Sequence, residues 1–154
     1  NAYYKENVMN WIYEETEVTS TSDLPEGVMG FVYVIEYEDG TYYFGQKNMF
    51  KSMTLNALKN GETREGAKRV GKNKDGKRVY FDVVTKESNW LTYEGSSEAT
   101  KDLVITDKTI LDVAYSKRSL TYLEAKRLFI EEALEDEQCH NLNILGKFFK
   151  GNID

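Results

Sequence analysis

The stretch from Gly30 to Lys47, G-F-V-Y-V-I-E-Y-E-D-G-T-Y-Y-F-G-Q-K, constrains this chain more than any other. Phe31, Tyr33, Ile35 and Tyr37 recur at period two with Val32 and Val34 between them, so both faces of one strand are apolar. Asp39-Gly40 is turn chemistry, because glycine tolerates the positive φ that a two-residue hairpin demands. Thr41 to Phe44 is again β-branched and aromatic, and Gly45 ends the run. The stretch predicts a β-hairpin with both faces covered.

At 154 residues, 40% hydrophobic and 30% charged, the chain is expected to form one globular domain with a real core. No apolar run approaches the roughly 18 residues that span a bilayer, and no charged-then-apolar leader opens the sequence. The expectation is therefore no membrane and a cytoplasmic location. A single cysteine, Cys139, excludes an internal disulfide framework and suits a reducing compartment. Together with the lone His140 it cannot build a zinc site. Nor does Cys139-His140 read as a nucleophile and its base, since adjacent side chains seldom point at one another and no orienting third group is visible.

The net charge of −6 argues against a strongly electrostatic nucleic-acid binder, yet the charge is uneven. From Lys59 to Lys86 there are nine Lys/Arg against four Asp/Glu, an excess of five, which leaves −11 on the remainder. Either one surface meets phosphate or the insert is a solvated lysine-rich loop.

In chain order, Tyr4, Val8, Trp11 and Ile12 recur at spacings of three and four, predicting a helix over 3–15. Residues 1–27 then read as a helix and linker, and 28–154 as the main domain, with its basic insert at about 59–86. A short helix is expected over 48–59. Gly61 to Arg78 has almost no apolar content and should be mobile unless a ligand orders it. Val79 to Val84 and Thr109 to Tyr115 are strands, Ser97 to Asp102 is a helical turn, and Thr121 to Glu135 is the best helix. The expected fold class is α/β: a small three-stranded antiparallel or mixed sheet flanked by helices, with the basic insert after the first hairpin.

Phe31-Val32-Tyr33 and, nine residues on, Tyr43-Phe44-Gly45 resemble the paired tripeptides that name the GIY-YIG nucleases. The second half narrows the resemblance. Trp90-x-x-Tyr93-x-Gly95-Ser96-Ser97, then Tyr122-Leu-Glu124-Ala-Lys126 and Asn141-Leu-Asn143, look like a subgroup of endonucleases encoded by large bacteriophages. The likeness covers about residues 28–149.

The resemblance implies a metal-dependent endonuclease acting on DNA in a phage-infected cell, with Mg²⁺ or Mn²⁺ as cofactor. Glu124 would hold the metal, which neutralises charge at the leaving oxygen of a phosphodiester. Tyr33 and Tyr43 would activate water and position the phosphate, with Gly45 as support. Asn141, or failing it Asn143, would support the helix that carries Glu124. A phenol with its pKa near ~10 needs a nearby cation or metal to act as a base, and Lys47 lies where such a cation is useful. Arg64, Arg69 and Arg78 of the insert, with Trp90, Tyr93 and Ser96, are the candidate nucleic-acid contacts.

Bland readings stand beside these. Thr121-x-x-Glu124 is also a capping box, which would give Glu124 a purely local task. The tryptophan and tyrosine of the W-x-x-Y-x-G-S-S run either stack on bases or anchor the insert to the body. One departure matters more. Enzymes of the family place an arginine on a first helix nine or ten residues after the second motif, and that window here reads Met53-Thr54-Leu55. Either the insert delivers an arginine, or the chain is a binding protein, for nucleic acid or a host protein, on a nuclease fold.

Overall fold

The computed structural model describes residues 8–153. They form two compact units, one from the residues up to Met49 together with those from Asn89 on, the other Phe50–Ser88.

The first unit is built on a five-stranded mixed sheet. In chain order its strands are β1 (Trp11–Tyr13), β2 (Thr16–Val18), β3 (Gly30–Tyr37), β4 (Tyr42–Asn48) and β8 (Ile105–Ala114), arranged β2-β1-β8-β3-β4. One helix, α1 (Lys117–Ile130), follows β8, and a small ribbon, β9 (Asn143–Ile144) with β10 (Phe148–Phe149), closes the described chain. The sheet is larger than the three strands expected, because β1 adds in parallel to β8 and β2 pairs with β1.

The hairpin is where its apolar alternation placed it, pairing Phe31 with Lys47 and Ile35 with Tyr43. Its turn is not the two-residue kind. Gly40 takes φ +86 and donates its N–H to the Tyr37 carbonyl, and Tyr37 N–H donates to Thr41, so the loop is longer by the residues that close around Gly40.

Both sheet faces are covered. On one, Trp11, Phe31, Tyr33, Ile35, Tyr37 and Trp90 form an aromatic core. On the other, α1 lays Leu120 and Leu128 against Val32, Val34 and Phe44. No helix among the described residues is long and apolar enough to cross a membrane.

Several expectations are corrected. Residues 3–7 of the expected first helix lie outside the described residues, and Trp11–Tyr13 is a strand. Its fully buried Trp11 faces Val18 across a hairpin whose turn residues, Glu14 and Glu15, both sit at positive φ (48° and 66°). The main helix starts four residues earlier than expected, at Lys117, because Ser116 caps it by accepting the Ser119 N–H. Thr121 is thus inside the helix, and the capping-box reading of Glu124 falls.

The second unit replaces an expected helix and a mobile loop with an antiparallel sheet. β5 (Phe50–Asn56) and β6 (Lys68–Lys74) pair on either side of β7 (Lys77–Glu87). Its organising residue is Asp82, fully buried on the central strand, which receives Arg69 Nε at 2.6 Å and Arg64 at 2.7 Å. Those two guanidiniums hold the Asp82 carboxyl below its usual range, Arg69 foremost, against the burial that opposes them. A paired ion cluster therefore does the ordering that an apolar core would otherwise do.

Candidate active site

β3 and β4 set Tyr33 directly opposite Gly45. Paired residues of an antiparallel ladder project to one face, and glycine leaves its place on that face empty. The Tyr33 ring fills it: a Cβ on Gly45 would stand 2.5 Å from Tyr33 Cζ and closer still to the hydroxyl. The phenol thus lies across the edge strand, 2% exposed. Trp11 packs against its ring at 5.1 Å between centroids, and Tyr93 meets it edge-on at 6.1 Å.

Alternation along β4 puts Tyr43 and Lys47 on the same face as Gly45. Lys47 Nζ sits 4.1 Å from the centroid of the Tyr93 ring, a cation–π contact. The Tyr93 hydroxyl donates to Ser96 Oγ at 3.2 Å. Burial first, then Tyr93 and Tyr43, and last Glu124 push the Tyr33 phenol far above its ordinary range. Tyr43 is raised by burial and then by Glu124.

Glu124 enters from α1, four residues from Leu120 and four from Leu128, the two buried residues of the helix. It therefore occupies the stripe turned toward the sheet. The carboxylate is half-buried and makes no hydrogen bond or ion pair among the described residues, and desolvation pushes its carboxyl above the usual range. A half-buried, unneutralised carboxylate is a hard oxygen donor of the kind Mg²⁺ or Mn²⁺ accepts. Among the described residues no three His, Cys, Asp or Glu side chains group to hold a metal. The fit is thus to an ion that keeps most of its water, with one protein carboxylate, and not to a fully protein-built cage.

Asn141 is buried, but it grips a strand where support of the helix was expected. Its Oδ1 accepts the Phe44 N–H at 2.9 Å and its amide donates to the Phe44 carbonyl at 2.8 Å. Next to it, Tyr42 exchanges backbone bonds with Gln138 and His140. Residues 138–141 thus continue the ladder past the edge strand and fix the backbone between Tyr43 and Gly45. Asn143 is exposed and only closes the turn to Gly146. Cys139 bonds Asn141 and His140 bonds Thr41, so the two are not a nucleophilic pair.

Other expected contacts are corrected. Trp90 is 1% exposed, packs edge-on against Phe31, and accepts the Trp11 indole N–H on its carbonyl at 2.7 Å. It is an anchor and has no face to offer a base. Arg64 and Arg69 are committed to Asp82, whereas Arg78 is exposed beside the ring of the exposed Tyr80. The sequence reading missed Lys108, which is fully buried, donates to the Met9 carbonyl at 3.0 Å and lies 4.4 Å over the Trp11 ring. It also missed that Tyr93 joins Tyr33. The signal for the second was present: Gly95, at φ +90 and in contact with Ile35, is the turn that brings Ser96 back to the Tyr93 hydroxyl.

A helix bearing one unneutralised carboxylate, set against a sheet whose two tyrosines flank a side-chain-free glycine, defines a GIY-YIG nuclease domain. The chain belongs to that family: residues 11–153 match the family model described as "Putative endonuclease segE, GIY-YIG domain". No curated protein and no solved structure matches it.

Proposed function

We propose that the protein is an endonuclease that hydrolyses DNA phosphodiester bonds with the help of a divalent cation, and that it is phage-encoded. The observation that carries this reading is the Tyr33 phenol seated in the space over Gly45, on the face that also bears Tyr43, beside a helix whose sheet-facing stripe carries the unneutralised Glu124, with family membership giving the reaction class. Glu124 would hold Mg²⁺ or Mn²⁺, which supplies Lewis-acid neutralisation of the leaving oxygen when bound. Tyr33 takes a proton from the attacking water, Tyr43 hydrogen-bonds the phosphate, and Lys47 offsets the negative charge that develops nearby. Asn141 and Gly45 fix the backbone and the space on which this arrangement depends. Arg78 and the lysines of the second unit, with Tyr93 and Ser96 in the first, contact nucleic acid.

A catalytically silent binding protein is the second reading. It is favoured by β5, which puts Met53, Thr54 and Leu55 on a strand where the family carries an arginine-bearing helix. Supercoiled plasmid with Mg²⁺ or Mn²⁺ separates the two. Nicking by the wild type that disappears in Glu124→Ala and Tyr33→Phe is the result expected of the enzyme. Salt-dependent DNA retention without nicking under either metal would replace it with the binding protein.

A further inference from the structure

α1 has a second face that the candidate site does not use. Among the described residues thirteen large apolar side chains are exposed, and eight of them lie on α1 or in the chain that follows it. Exposed apolar side chains gathered in one region mark a contact surface, whereas single ones are ordinary.

Arg118, Tyr122, Ala125 and Phe129 follow the spacing of one helix face, to the side of the sheet-facing stripe Leu120-Glu124-Leu128. The β9–β10 ribbon walls this face. Leu145 lines an open groove of about 550 Å³ with Arg118, Tyr122 and Ala125, and Phe148 meets the Phe129 ring edge-on at 5.5 Å. Charge of opposite sign closes the two ends. Lys117 and Arg118 stand exposed at the start of the helix. Glu132 and Glu135 stand exposed just past its end, where they line the cavity that Phe129 and Phe148 share. Arg118 is seven residues before Ala125 and Glu132 seven after it, with Tyr122 three before and Phe129 four after.

We propose that a second copy of this chain covers this face, with the two α1 helices crossing antiparallel at Ala125.

In a two-fold contact, each residue pair across the interface occurs twice with the roles exchanged. A surface fits itself in this way only if it is complementary about its own midpoint, and this one is. Turned end for end, the basic start of each helix meets the acidic end of the other, and Tyr122 of each packs on Phe129 of the other. Ala125, the smallest side chain of the four, sits at the crossing and lets the axes come close. A parallel pairing would set Arg118 against Arg118 and Glu132 against Glu132, so charge selects the antiparallel one. The two signs also disfavour a uniformly basic or acidic partner, which would be attracted at one end and repelled at the other. Glu124 faces the sheet, off this surface, so each copy keeps its candidate site and the pairing does not depend on cleavage.

The test is sedimentation of the full chain without DNA, at concentrations up to about 100 µM, above the dissociation constants of ordinary interfaces. The wild type should run at twice the 17.8 kDa of one chain and dissociate more readily as salt rises. Arg118→Glu alone and Glu132→Arg alone should each weaken the dimer at least about 10-fold, because the two-fold repeats every like-charge contact. Mixed in equal amounts, the two variants should recover it, since each supplies the charge that the other lacks. Tyr122→Asp, which puts a charge in the apolar middle, should abolish it. All three positions are exposed, so the fold is not at stake. A wild type that stays monomeric overturns the proposal and leaves the face to another partner. A dimer indifferent to these changes, or charge variants that do not recover on mixing, overturns it by placing the contact elsewhere.

Discussion

The Tyr33 phenol occupies the space where Gly45 would otherwise carry a side chain. The two residues are direct partners on β3 and β4. This explains why the two tripeptides that mark the hairpin belong together: the tyrosine of the first needs the glycine of the second. Gly45→Ala should therefore act through Tyr33. The added methyl must expel the ring, costing about 1–3 kcal/mol as overpacked sites do, and plasmid nicking should fall at least about 100-fold. Urea denaturation and nicking together check it. If displacement of the phenol is the cause, Tyr33→Phe should cost little further activity in the Gly45→Ala background. A full additional loss would mean that the two act separately.

Glu124 should trade stability for function. Its folded-state pKa is raised by desolvation, so the ionised carboxylate costs stability at pH values above that pKa. The cost is relieved as pH falls toward the ordinary glutamate value. Glu124→Gln removes the charge at nearly constant shape. Thermal melting at pH 7 should rise or stay level, while cleavage drops at least about 100-fold, since neutralising charge on a reacting phosphate is worth several kcal/mol. In the wild type, the acid limb of Mn²⁺ binding should lie above the range of an exposed glutamate. A melting temperature that falls in Glu124→Gln would make the residue a structural one.

The residues show why some elements could be read from the sequence and others could not. The hairpin and β8 carry their own apolar alternation, and both tyrosines and the glycine could be placed from the pattern alone. Glu124 was found, but its environment was not: Leu120 lies outside the expected helix, so the stripe Leu120-Glu124-Leu128 could not be seen. The insert misled because its order comes from Asp82 gripped by two arginines, and ion pairing leaves no hydrophobic period to read. Asn141 and Tyr93 reach the site through contacts across 97 residues and across the sheet, which no local spacing encodes.

The first hairpin was missed for a separate reason, which yields a prediction. The β1–β2 turn needs two left-handed residues and has Glu14 and Glu15 there, where asparagine and glycine are the usual signal. Glu14→Asn with Glu15→Gly should relieve that strain and stabilise the protein by about 1–2 kcal/mol. Both positions are exposed, so cleavage should not change. Chemical denaturation checks the gain, and a loss of stability would mean that the glutamates make contacts worth more than the strain.

Lys108 gives the protein an unusual alkaline profile. Burial lowers its pKa from 10.5 to about 8, with Glu94 opposing the fall, and its ammonium has the Met9 carbonyl and the Trp11 ring for company. Between about pH 8 and 10.5 the unfolded chain binds a proton there that the folded chain has released, so stability rises with pH across that window. Above about pH 10 the trend reverses. Tyr33 and Tyr43, raised in the folded state, then keep protons that the unfolded chain loses. The wild type should thus be most stable near pH 10. Lys108→Met fills the same space without a charge and should be more stable at pH 7, by on the order of 3 kcal/mol at most from a shift of that size. Its stability should no longer rise between pH 8 and 10. Urea midpoints across pH 6–11 for both proteins decide it: parallel profiles would show that the ammonium is solvated in the folded protein.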